Sequence, residues 1–259
     1  MRVKKEYHEI IIIGKKPKHR QYRIFVLFFA IFLIIFLLLF FSIKSLFFVP
    51  TTASVNYYIL YAAIDAKTYE TAETKAVEYK ARGGAGVVIK KDKNFGVVLA
   101  IYPDNLSAQT VVKQLEQQDI SAQIEVLKLP TFSLNNMSEN DSEITQNIHQ
   151  KYIDTLQNLY DLSYDLDTSQ ISQSYALMRI NELALLWEQR SDILASKIDT
   201  VSNSESAKHK HALYPIYCLA LYVASQLKYL ANENTYQDSL KTLISVIRQT
   251  NYMLCVLEY

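Results

Sequence analysis

The residues best suited to chemistry in this 259-residue chain fall into a few small groups, and none of them completes a reactive constellation. His209 and His211 flank Lys210. Two imidazoles with no further ligand beside them hold a metal weakly at most, so they read as polar loop residues. A carboxylate-bridged di-iron site needs Glu-x-x-His pairs, and no histidine here has a glutamate three residues before it. Asp161, Asp165 and Asp167 read as a solvated helix end. Hydrolysis of a glycosidic bond needs two carboxylates facing across a cleft, and the sequence places no such pair. Gly83, Gly84 and Gly86 are not followed by the lysine and hydroxyl residue of a phosphate loop, and they close a helix instead of opening one. There is no Gly-x-Ser-x-Gly elbow. Cys218 and Cys255 sit in apolar helical patterns and read as small buried hydrophobes. No catalytic residue, metal ligand or cofactor is assigned, and the chain is read as non-enzymatic.

Two kinds of element surround these groups. Residues 55–130 run strand, helix, strand, strand, helix, strand. Tyr57–Ile64 is rich in aromatic and branched residues, as a strand requires. Thr68–Ala81 repeats apolar residues at helical spacing up to Gly83, which suits a left-handed cap. Gly86–Lys91 and Phe95–Tyr102 are apolar runs joined by a polar turn, the pattern of a hairpin. Asn105–Gln118 is a second amphipathic helix and Ser121–Leu129 a closing strand. This order predicts a split βαβ unit, four strands with two helices on one face. Residues 131–142 are a linker by composition. Residues 143–259 then predict four helices, over about 143–165, 168–200, 213–232 and 236–257, in an antiparallel bundle. The third is apolar nearly all round, as a central helix would be, with Pro215 in its first turn.

The order of elements in 55–130, the Tyr57-Tyr58-Ile59 opening, the Arg82-Gly83-Gly84-Ala85-Gly86 turn and the Phe95–Tyr102 strand resemble the SPOR (sporulation-related) domain family. The resemblance implies a ferredoxin-like βαββαβ fold. It also implies binding to peptidoglycan, preferentially glycan strands stripped of their stem peptides, and location at a division or sporulation septum beside other proteins of that process. In the family's usual pattern a glutamine on the first strand and arginines on the third face the open side of the sheet. The matching positions here are Leu60, Gly96 and Val98, which cannot bond sugar hydroxyls. Strand alternation predicts an apolar glycan or partner surface made of Tyr58, Leu60 and Ala62 on one strand with Gly96, Val98 and Ala100 on another.

Before these elements comes a basic head, residues 1–23, with eight Lys and Arg against Glu6 and Glu9. It runs into Ile24–Ile43, twenty residues of which only Ser42 is polar. At about 1.5 Å per residue this run matches a hydrocarbon core of roughly 30 Å, so residues 24–49 are expected to form one transmembrane helix. The charge asymmetry keeps the N-terminus cytoplasmic and puts the C-terminal region outside. The run is longer than a signal-peptide core and Pro50–Ser54 is a poor cleavage site, so the anchor is expected to be retained. The whole-chain charge of +1 leaves the exterior part mildly acidic, which argues against nucleic acid as a partner.

The expected architecture is therefore α+β: a transmembrane helix, a SPOR-type domain and a helical bundle. Two functions are compatible with it. In one, the SPOR-like sheet binds peptidoglycan and localises the protein to a septum. In the other, the protein is a non-enzymatic scaffold whose apolar sheet face packs on its own helices or on a protein partner, with glycan binding lost.

Overall fold

A computed structural model describes residues 51–91, 93–135, 137–199, 204–232 and 239–257, with side chains at 63–65 and 204–211 left aside. In chain order the elements are β1 (Asn56–Ala66), α1 (Tyr69–Ala81), β2 (Val87–Lys91), β3 (Asn94–Tyr102), α2 (Asn105–Glu116) and β4 (Ala122–Lys128). The helices α3 (Glu139–Asp167), α4 (Gln173–Asp199), α5 (Ser204–Leu230) and α6 (Leu240–Cys255) follow.

The expected fold class is corrected at its first element. No helix among the described residues is long and apolar enough to cross a membrane. Helices α3, α4 and α5 have 27 to 29 residues, which is length enough, but polar and charged side chains recur along each. The segment 24–49, where the transmembrane helix was expected, lies outside the described residues. What is described is an α+β structure of six helices and a four-stranded antiparallel sheet.

Local chemistry sets most of the helix ends. The Thr68 hydroxyl accepts from the Thr71 N–H at the start of α1. At its other end Gly83 has φ +91°, with Gly83 N bonded to Lys80 O and Gly84 N to Tyr79 O, a paired C-terminal cap that favours glycine. Asp104 caps α2, accepting from the N–H and hydroxyl of Ser107 at 2.8 and 2.7 Å. Those bonds hold its carboxyl below the usual range. Ser138 caps α3 by accepting from Asp141 N, so this helix begins four residues before the expected 143. Thr168 was expected to open the next helix. Instead it ends α3, its hydroxyl donating to Tyr164 O, and Ser169 turns the chain at φ +59°. Pro215 lies well inside α5, not in a first turn, because helical backbone extends back to Ser204.

The sheet order is β2-β3-β1-β4. One face carries Leu60, Ala62, Ala100 and Tyr102 and packs on α2 through Ala108, Val111, Val112 and Leu115, with Tyr79 of α1 joining them. Tyr69 of α1 meets Phe95 of β3 edge-on at 6.1 Å on this face. The opposite face contributes Tyr57, Ile59, Val98 and Ile101 to a second, larger core that runs without a break through α3, α4, α5 and α6. Pro50–Tyr259 is accordingly one compact unit, and the 131–142 segment joins parts that share a core.

Within the helical part, α3 packs with α6 and α4 with α5. Trp187 of α4 is fully buried, and its indole N–H donates to the Thr155 hydroxyl of α3 at 2.9 Å. Helix α5 is not central. Leu213, Ile216, Leu227 and Leu230 are buried, whereas Tyr214, Leu221 and Tyr229 face outward.

Candidate functional site

The six residues expected to form one surface lie on two faces. β1 pairs with β3 through Tyr58↔Tyr102, Ile59↔Ile101 and Leu60↔Ala100, then jumps to Tyr61↔Val98. The irregularity leaves Leu99 without a partner on β1, and one extra residue in a strand reverses the alternation beyond it. Tyr58, Leu60 and Ala62 thus share the face covered by α2, and Leu60 and Ala62 are wholly buried there. Tyr58 is half-buried at the margin of the same cluster. Gly96 and Val98 belong to the other face, both buried. A Cβ on Gly96 would lie 2.9 Å from Cδ2 of Tyr61, so the glycine lets that ring lie against the backbone.

That other face is closed over its centre and open at one margin. The open margin holds groups that strand alternation, with the irregularity included, brings together: Tyr61 of β1, Lys91 of β2, and Gln123 and Glu125 of β4. The Tyr61 hydroxyl donates to Gln123 Oε1 at 2.7 Å. Lys91 reaches over the Tyr61 ring, 5.4 Å from its centroid, and pairs with Glu125. Beside them is a cleft of about 520 Å³, floored by Ile59, Ile89 and Leu127 and walled by Tyr252 and Leu257 at the end of the chain. Burial, then the nearby Glu125 carboxylate, raises the Tyr252 phenol above its ordinary value. The cleft itself offers the Tyr252 ring, Lys90, Lys128 and the Lys91–Glu125 ion pair, with the Tyr61 ring and the Gln123 amide beside it, which suits hydrogen-bonded recognition.

The remaining chemistry-bearing residues resolve individually. Cys255 is buried and Cys218 half-buried, and neither forms a disulfide. Burial pushes the Cys255 thiol far up, so it is inert. His149 is buried with a ring nitrogen 3.1 Å from Pro130 O and its ring edge-on to Phe132. His209 and His211, expected in a loop, lie instead in the first turns of α5; their side chains are outside the described ones. Among the described residues no three His, Cys, Asp or Glu converge as metal ligands would. Asp167 departs from its expected solvated role: Lys241 and Arg248 of α6 both bind its carboxylate, and Arg248 Nη1 also donates to Gly83 O at 3.0 Å. Burial raises the Asp167 carboxyl, but these cations outweigh it and hold the group below the usual range. Nothing in the local sequence around Asp167 announces partners that lie 74 and 81 residues away.

No family model, curated protein or solved structure matches this chain.

Proposed function

We propose that the chain is a non-enzymatic scaffold of a bacterial cell envelope, in which the sheet face available for glycan in a SPOR-like module has become an internal packing surface. The observation that supports this reading is the burial of Tyr57, Ile59 and Ile101 in one core with α3 and α6. A sugar strand needs a broad accessible platform, and a face occupied by the chain's own helices keeps only its margin. The partner is then a protein that recognises the combined sheet-and-helix body, at a division or sporulation site. Placement at the cell membrane with the folded part outside rests on the charge and apolar pattern of residues 1–49.

A second reading is favoured by the open margin. Tyr61, Lys91, Gln123 and Glu125 keep an aromatic ring and bonding groups beside a cleft large enough for a sugar unit. In that reading the cleft binds denuded peptidoglycan glycan and helps to place the protein at a septum.

Co-sedimentation of the fragment Pro50–Tyr259 with intact and amidase-treated peptidoglycan separates the two. The scaffold reading expects the fragment in the supernatant in both cases. Pelleting with the stripped glycan, abolished by Tyr61→Ala, would establish the second reading in its place.

A further inference from the structure

We propose that the outer edge of β2 is a docking site for an extended acidic segment of a partner protein, which adds to the sheet as a further strand. The inference rests on the scaffold reading above and names the chemistry of its partner.

The first support is the edge itself. β2 is an outer strand, bonded on one side to β3, and its register from Val87↔Val98 to Lys91↔Asn94 runs without a break. All its residues stay exposed or half-buried. The free side of an outer strand leaves alternate N–H and C=O groups without a partner strand, and an extended peptide adds there by main-chain bonds.

The second is a socket beside that edge. Ile89, Lys90 and Lys91 border the cleft of about 520 Å³ that is floored by Ile59, Ile89 and Leu127. Alternation turns Ile89 to the cleft side of the sheet and Lys90 to the other. A strand laid along β2 therefore places every second side chain beside the apolar floor and those between beside Lys90. Main-chain bonds give such a complex its affinity, and the side-chain sockets give its selectivity.

The third is charge. Residues 51–259 carry 18 Lys and Arg against 24 Asp and Glu, so this part of the chain is acidic. The β2–β3 hairpin departs from that balance, with Lys90, Lys91 and Lys93 against Asp92. Lys91 is engaged by Glu125 and the Tyr61 ring, whereas Lys90 and Lys93 are exposed and pair with no described carboxylate. The other outer strand, β4, sets Glu125 against Lys128 and has no such bias. Lysines on an open edge oppose pairing with a second copy of the same strand. Carboxylates opposite Lys90 are favoured instead, because unlike charges on facing strands attract. An acidic strand with apolar residues at alternate positions satisfies the edge, the socket and the charge together.

Fluorescence anisotropy of a labelled octapeptide that alternates glutamate and valine, titrated with the full chain, tests the assignment. One control peptide alternates lysine and valine, and a second groups the glutamates and valines in two blocks. Saturable binding is expected for the first peptide, none for the lysine control and weaker binding for the block control. Lys90→Glu should weaken binding about tenfold. Its melting temperature should match the parent's, because the side chain is exposed. Lys113→Glu, the same change of charge at an exposed position of α2, should leave binding as it was. Hydrogen exchange should show new protection at β2 amides when the acidic peptide is added. Failure of that peptide to bind, equal binding of either control, binding that Lys90→Glu leaves intact, an equal loss in Lys113→Glu, or protection confined to other elements would each overturn the proposal. Co-sedimentation tells this failure from that of the scaffold reading. A fragment that pellets with stripped glycan overturns the reading, and one that stays in solution while the acidic peptide fails to bind overturns the docking site alone.

Discussion

Asp167 depends on neighbours from another helix, Lys241 and Arg248 of α6. Its carboxyl lies below the unfolded value of about 3.9, so the stability it contributes is complete above that pH and is lost as pH falls through the lower folded value. Asp167→Asn should cost about 1 kcal/mol at pH 7, since the pair is partly screened, and should flatten the acid limb of the stability curve. Urea unfolding at pH 7 and pH 3 reads both effects, and an unchanged midpoint at pH 7 would make the network ornamental. His149 predicts a different window. Burial, opposed by the bond to Pro130 O, lowers its pKa, so the neutral ring is favoured in the folded state. Its contribution is therefore full above about 6.5 and declines as pH drops below that value, levelling under the folded pKa. Thermal unfolding at pH 7.5 and 5.0 should show a gap that His149→Gln removes. Sequence made Gly83 legible, because a cap follows from residue type and local spacing. It hid Asp167, whose cations come from another helix.

At the scale of elements, the type and order of the strands and helices follow from apolar periodicity, and the register does not. A single irregularity opposite Leu99 moves Tyr58, Leu60 and Ala62 onto one face and Gly96 and Val98 onto the other. The expected surface was drawn by strict alternation, which holds only while no residue is inserted. Leu60→Ala should then act as a core deletion and lower stability by about 2–5 kcal/mol in denaturant unfolding; a loss below about 0.5 kcal/mol would place Leu60 on an accessible surface after all. Helix α5 offers a test of the opposite sign. Pro215 is exposed inside the helix and removes a backbone donor there. Pro215→Ala should raise stability by up to about 3 kcal/mol, seen as a higher melting temperature. A lower one would mean that the proline's geometry is required for α4 to pack. The early start of α3 and the late start of α4 were missed for a related reason: Ser138 and Thr168 are both competent caps, and only the packed chain decides which one opens a helix and which one closes it.

For the whole molecule, one core joins sheet and helices, and cooperative unfolding should follow. Trp187, the single tryptophan, reports on the helices through its fluorescence, and strand amides report on the sheet through hydrogen exchange. In Pro50–Tyr259 both probes should give one midpoint and one free energy. Two separated transitions would restore two independent domains. Deleting α6 should likewise expose the strand amides of β1 and β3, because the core beside them would lose Leu243, Ile247 and Leu254. What the sequence by itself determined is what local physics controls: the strand and helix order and the Gly83 cap. Which residues share each sheet face, what covers that face, and where Asp167 finds its cations were decided only by tertiary structure. Each of these depends on contacts between residues tens of positions apart, and burial of apolar area is indifferent to the order in which the chain supplies it.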